Sequence, residues 1–285
     1  MVCRKVTLPD DIGELTLCRY LIKTWQDIPE YRIRAAFDKK DVKQNGERVS
    51  LRAAAVPRAK IEAYFPDAAV LRLAVVYEDE DILIVNKPSG MHSQEEEGVS
   101  GMETLAARYL AEKGEGKPIL CHRLDNQTSG LLLFAKNGIA EKECYKGFHE
   151  HLFEKRYTAL VKGSPKPEHA VLHAYLRREQ NRNLVHILLT PARNAREIET
   201  EYQVVEKGEI SRLVVTIRTG RMHQIRAQLS ALGYPVVGDD VYGDRAFNRA
   251  VKARRLALCA TSLTLHFTGA LSRLDGKTFT VQAPF

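Results

Sequence analysis

The stretch CHRLDNQTSGLLLFAK, residues 121–136, sets the expectation for the whole chain. Its second half, Leu131-Leu132-Leu133-Phe134, is a short continuous apolar run bounded by turn residues, the pattern of a strand buried on both faces. Its first half crowds His122, Arg123 and Asp125 into a loop at the mouth of that strand, with Ser129-Gly130 as the tight turn between the two. A carboxylate fixed at the end of a buried strand can serve as nucleophile or general base. The same residues also fit an aspartate that caps a turn and pairs with Arg123, the commoner fate of Arg-x-Asp in a loop.

Outward from this stretch the texture is that of strands. Upstream, VVYEDEDILIVNKPSG (75–90) reads as strand, acidic turn, strand, with residues 82–85 fit for a buried strand that Pro88-Ser89-Gly90 ends. A polar loop around 94–98 leads to a helix near 102–113. Downstream, strands are expected at 131–135, 157–161, 184–189, 201–205 and 213–218, and helices at 141–150 and 221–232. Several links are too short for parallel crossovers, so the pattern predicts an α+β fold: a mixed, largely antiparallel sheet with helices packed on it.

The amino-terminal part differs. Leu17, Leu21 and Trp25 recur at helical spacing, Pro29 can start a second helix, and Ile33, Ala36 and Phe37 share one face of it. In VKQNGERV (42–49), Asn45-Gly46 between two short alternating runs is a hairpin signal, because a two-residue tight turn needs positive φ at both positions. Pro66-Asp67 reads as a linker. It divides the chain into a small α+β module, 1–66, and a larger domain, 67–285.

Composition narrows the function classes. In 285 residues, 44% are hydrophobic and 28% charged, which excludes disorder as the dominant state. Lys and Arg number 43 against 36 Asp and Glu, a net charge of +7 that leans toward a polyanionic partner. The five cysteines include no C-x-x-C pair, so neither a disulfide framework nor a zinc knuckle is expected, and the setting reads as reducing and cytoplasmic. The first residues turn acidic before any apolar stretch develops, and no run approaches the ~18 apolar residues of a membrane span. Secretion and membrane insertion are not expected.

Two further segments can hold chemistry. TGRMHQIRAQLSALGYPVVGDDVYG (219–243) reads as a helix from 221 to 232 with Met222, Ile225, Leu229 and Leu232 on one stripe and Gly233 at its stop. Arg221 and Arg226 then flank buried surface, where an arginine needs an acidic partner; snorkelling arginines fit equally well. EKRYTALV (154–161) is a strand presenting Tyr157 in a basic setting, suited to stacking on a nucleobase and equally to plain packing. No histidine has a partner at ligand spacing, and no metal is assigned.

Taken in order, ILIVNKPSGM, HRLDNQTSGLLLFAK, KRYTALV, GRMHQIRAQLSALGYPVVGD and RLALCATSL resemble the RluA-type family of RNA pseudouridine synthases over roughly residues 72–285. The basic amino-terminal unit ending in VKQNG is similar to the small S-four-like RNA-binding module that often precedes that catalytic domain. The resemblance implies isomerisation of a uridine in ribosomal or transfer RNA, without cofactor, metal or energy source, by a chain expected to act as a monomer. It implies Asp125 as catalytic carboxylate, Arg123 as the residue that displaces the target nucleotide, Tyr157 as the aromatic on the uracil, and Arg226 as the partner of Asp125. The RNA-contacting set it implies is Arg32, Arg34, Lys39, Lys40, Lys43, Lys87, Arg221, His223 and Gln224. Cys259 and Gln228 stand where histidine is common, which bears on substrate contacts. Two other classes remain open on sequence: a non-catalytic RNA-binding or ribosome assembly protein that keeps the fold, and a metal-dependent phosphoesterase using His122, Asp125, His223 and Asp239.

Overall fold

The computed structural model describes residues 2–25, 28, 30–65, 73–95, 101–179 and 183–285. The expected linker at Pro66-Asp67, the helix start at Pro29 and positions 96–98 of the polar loop lie outside the described residues. By contacts the chain forms two compact units, Met1–Ala74 with Gly90–Lys117, and Val75–Ser89 with Pro118–Phe285. The stretch 90–117, assigned from sequence to the larger part, thus groups with the smaller one.

In the first unit, β1 (Val2–Thr7), α1 (Leu17–Thr24), α2 (Glu30–Asp38), β2 (Val42–Gln44), β3 (Glu47–Arg48) and β4 (Lys60–Phe65) give an antiparallel sheet of order β1-β4-β2-β3. The Thr16 hydroxyl caps α1 by accepting the Arg19 N–H. Leu17, Leu21, Trp25, Ile33, Ala36 and Phe37 are all buried in one core, as their helical spacing requires. Asn45 and Gly46 turn the β2–β3 hairpin with φ of 53° and 87°. The unit also holds α3 (Met102–Glu112).

The second unit is built on one large sheet. Its elements are β5 (Val75–Glu78), β6 (Ile82–Lys87), β7 (Ile119–Leu120), β8 (Ser129–Ala135), α4 (Gly138–His149), β9 (Glu154–Lys162), β10 (His169–Arg178) and β11 (Val185–Leu188). After them come β12 (Ala195–Glu206), β13 (Ile210–Ile217), α5 (Gln224–Ala231), α6 (Arg245–Ala250), β14 (Leu258–Thr264) and β15 (Thr278–Thr280). Among the described residues the strand order is β11-β10-β12-β13-β9-β14-β8-β6-β5, with β15 on β14 and β7 on β8. Every pairing is antiparallel except β14 with β8, so the sheet is mixed and largely antiparallel, in the α+β class.

The apolar runs that looked doubly buried are so: residues 82–85 and 132–135 have no exposed surface. Full burial of such side chains stabilises by about 1.5–3 kcal/mol each. Gly130 opens β8 at φ 114°, opposite Ala260 of the parallel neighbour β14. A β-carbon there would stand 2.3 Å from the Ala260 carbonyl oxygen, so only glycine lets the two backbones meet. One expected element is shorter than its pattern. The helix of 221–232 begins at Gln224, because Arg221, Met222 and His223 form a turn, and Leu232 is 43% exposed instead of lying on the buried stripe.

Candidate active site

A cleft in the second unit, open to solvent and about 70 Å³ in volume, is lined by the 123–128 loop, the middle of β9, and the turn and first residues of α5. At its base lies Arg226, whose side chain is 4% exposed. Its Nε and Nη2 donate to the two carboxylate oxygens of Asp239 at 2.7 and 2.9 Å, a bidentate fork with a fully buried partner. Asp239 Oδ1 also accepts the backbone N–H groups of Val241 and Tyr242, each at 2.9 Å. Burial alone would raise the Asp239 carboxyl, but the Arg226 fork and these N–H groups hold it below the ordinary value. Burial opposes the Arg226 charge, and the carboxylates around it more than offset that, so it stays a cation.

The remaining arm of the fork, Nη1, reaches Asp125 Oδ2 at 3.4 Å, and His223 Nε2 lies 3.9 Å from the same oxygen. Asp125 is 23% exposed at the cleft, and among the described residues nothing donates to its Oδ1. The turn-capping alternative does not hold: the Asp125 carbonyl closes the turn from the Thr128 N–H, while the carboxylate is left for the cleft and makes no contact with Arg123. Tyr157, 8% exposed, stands in β9 between Val215 and Ala260 and lines the same cleft. Burial, with Asp125 and Cys259 adding to it, pushes its phenol up, so it is neutral. Arg123 and Arg221 are exposed at the rim.

A carboxylate, a locked guanidinium, a buried aromatic and an exposed arginine thus converge on one cleft. A family model described as RNA pseudouridylate synthase matches residues 81–231, more than half of the chain. The chain belongs to this family. It is 31% identical over 262 residues to ribosomal large subunit pseudouridine synthase C of Vibrio vulnificus, covering 85% of this chain and 81% of that protein. An uncharacterized RNA pseudouridine synthase of Aquifex aeolicus is 35% identical over 212 residues, 70% of this chain and 64% of that protein. Among solved structures, human RNA pseudouridylate synthase domain containing 1 superposes with a TM-score of 0.63 at 26% identity, covering 75% of this chain and 84% of that one.

Within this synthase fold, several residues expected at the RNA have other work. Lys87 has no exposed surface; its ammonium donates to the carbonyls of Asn126 (2.9 Å) and Pro88 (3.2 Å), under the Asp125 loop. Gln224 is 2% exposed, and its amide is saturated: Oε1 accepts from Thr219 Oγ1 and the Arg221 N–H, while Nε2 donates to the Glu199 carbonyl and Thr200 Oγ1. Both are corrected from RNA contacts to supports of the cleft, since neither polar head is available to a phosphate. His122 is likewise internal. Its Nε2 accepts the Leu133 N–H at 3.1 Å, its ring packs on Phe148, and burial drives it down to about 3, so it is a neutral support. That removes one of the four ligands a metal-dependent phosphoesterase would need, and among the described residues no group of three or more His, Cys, Asp or Glu is placed to hold a metal ion.

Cys259 and Gln228 are 1% and 3% exposed, in the interior and away from the rim. In the amino-terminal unit, Lys39 and Lys40 are exposed, Arg34 is tied to Glu30 at 2.6 Å, and the Lys43 amine sits over the Tyr64 ring at 5.8 Å. Sequence reasoning assigned no role in the leading mechanism to Asp239 and none at all to Tyr242. The signal was present: a buried arginine in HQIR demands a carboxylate, and Asp239 follows the helix by one tight turn.

Proposed function

We propose that this chain isomerises a specific uridine in structured RNA, ribosomal before transfer RNA, to pseudouridine, with Asp125 as catalytic nucleophile. The observation that supports this most is the unequal sharing of Arg226: its fork is saturated by Asp239, and its third nitrogen orients one oxygen of Asp125 while the other faces the cleft. In the reaction the C1′–N1 bond breaks, the ring turns, a C1′–C5 bond forms, the C5 proton leaves and N1 gains one. No electrons or phosphoryl groups are exchanged, so no cofactor is needed. Arg226 Nη1, at 3.4 Å from Asp125 Oδ2, holds that carboxylate in place for attack.

A uridine in a stem or loop must leave its stack to reach Asp125, at a cost of a few kcal/mol that an aromatic wall offsets in part. In this reading Tyr157 is that wall, and Arg123, exposed and without an ion pair among the described residues, takes the place of the displaced nucleotide. Arg221 and His223 contact RNA at the rim. Residues 1–66 act as an S-four-like module holding RNA through Arg32, Lys39, Lys40 and Lys43, ahead of a catalytic domain at 67–285. The relative named for the large ribosomal subunit favours ribosomal RNA as the target. The enzyme is read as a monomer and as cytoplasmic, the latter in keeping with five free cysteines.

The test is single-nucleotide mapping of pseudouridine in ribosomal and transfer RNA from cells with and without this protein. The expected result is loss of one or a few sites in large-subunit ribosomal RNA. An unchanged map overturns the proposal.

A further inference from the structure

His223 and Tyr242 form a pair beside Asp125 with a definite proton arrangement. The Val185 backbone N–H, which can only donate, lies 2.9 Å from Tyr242 Oη, and the same oxygen lies 3.0 Å from His223 Nδ1. With the oxygen accepting from Val185, the single phenol proton is directed to Nδ1. A neutral imidazole that accepts at Nδ1 has its own proton on Nε2. Nε2 is the atom facing Asp125 Oδ2, at 3.9 Å. That is about 1 Å longer than a hydrogen bond, a gap closed by a small side-chain shift or by one bridging water.

Tyr242 is itself fixed. Its backbone N–H donates to Asp239 Oδ1, its ring meets the His223 ring edge-on at 5.5 Å, and the Arg226 guanidinium lies 5.4 Å from its centroid. One residue therefore touches both groups that flank the Asp125 carboxylate. The charged groups facing the imidazole are Asp125, Asp239 and Asp240, which favour its protonation, and Arg226, which opposes it. Burial is the largest influence, and the net result is a histidine held below its ordinary value and neutral at neutral pH.

We propose that Tyr242 fixes His223 as a neutral Nε2–H donor that positions the Asp125 carboxylate together with Arg226, both at Oδ2. The proposal rests on Asp125 being the nucleophile. A neutral donor orients a carboxylate while drawing off less of its charge than a second cation would, which suits a group that must both hold still and attack.

The test uses the full chain labelled with 15N at histidine. In the wild type His223 is expected to show a bare Nδ1 and a protonated Nε2, with a mixture of tautomers in Tyr242→Phe and a shifted Nε2–H resonance in Asp125→Ala. A protonated Nδ1 in the wild type, or an Nε2–H resonance that ignores Asp125→Ala, overturns the proposal. The second arm is single turnover of a large-subunit ribosomal RNA transcript labelled with tritium at uridine C5. Tyr242→Phe is expected to slow tritium release at least about tenfold with RNA affinity unchanged, and His223→Asn, suited to the left-handed backbone, to slow it as much when enzyme saturates the RNA. The His223→Asn melting temperature should not fall. Wild-type turnover in His223→Asn overturns the positioning role, whereas turnover in Asp125→Ala overturns the nucleophile instead. If the wild type does not act on this transcript, the failure falls on the choice of target, and the spectra alone decide.

Discussion

Asp239 and Asp125 approach the same guanidinium from two different loops under opposite conditions. Asp239 has no exposed surface, and four donors occupy its oxygens: Arg226 Nε and Nη2 and the N–H groups of Val241 and Tyr242. Asp125 is 23% exposed and receives one bond of 3.4 Å on one oxygen. A fully buried carboxylate that already holds four donors is a structural anchor with no face open to a substrate. In the proposed mechanism the lightly held carboxylate is the reactive one, and the anchor supports it, because Asp239 holds the fork of Arg226 and leaves Asp125 a single nitrogen. On that proposal ion-pair strength and catalytic relevance run in opposite directions at this site.

The largest effect that would break this contrast is on stability. Asp239→Ala leaves a buried guanidinium short of its partner and is expected to cost about 3–5 kcal/mol in urea unfolding, whereas Asp125→Ala should stay within about 1 kcal/mol. Equal losses would mean that both carboxylates are structural. The acid limb sharpens the point. Because the folded state holds Asp239 below its unfolded value of 3.8, its contribution is fully present above that value and is lost as pH falls through the folded one. Asp239→Asn should therefore flatten acid unfolding, and an unchanged acid limb would place that titration elsewhere.

A smaller effect lies beneath the Asp125 loop. Burial draws Lys87 down from 10.5 to about 7, with Asp125 and Cys259 opposing it, so between those values the unfolded chain binds more protons than the folded one. Stability from this group then rises with pH through that window, by up to about 1.4 kcal/mol per pH unit. In Lys87→Met the slope between about 7 and 8 should vanish, while above that Lys155, drawn by burial from 10.5 to about 8, still contributes; an unchanged slope between 7 and 8 would place the titration elsewhere. The smallest effect repeats the held-versus-available contrast in the amino-terminal unit. Neutralising exposed Lys39 and Lys40 should lower the salt dependence of RNA binding by about one unit of slope per phosphate contact, and neutralising Arg34, tied to Glu30, by less. Identical slopes would return the lysines to a merely solvated face.

Much of this was legible in the chain because local patterns and tertiary burial agreed. The runs at 82–85 and 131–134 are bounded apolar stretches and became the paired, fully buried strands β6 and β8, and Asn45-Gly46 produced its hairpin. Strand β10 was not legible, because His169–Arg178 is polar and half exposed and pairs across the sheet with distant β12, information that no window of ten residues contains. The start of α5 was misplaced for a similar reason: Gln224 fixes the preceding turn through Glu199 and Thr200, more than twenty residues away. At the site, the arginine's need for an acid could be read from its apolar neighbours. That the acid taking the fork is Asp239, and that Asp125 receives only the remaining nitrogen, is decided by loop geometry after the sheet has formed.

The central claim is that the weakly held carboxylate is the reactive one. The direct measurement is single-turnover pseudouridine formation by Asp125→Ala and wild type on RNA containing the site that disappears in cells lacking the protein, with RNA affinity measured in parallel. The account predicts a loss of at least about 10⁴-fold in rate with affinity retained. Turnover near the wild-type rate in Asp125→Ala would contradict it.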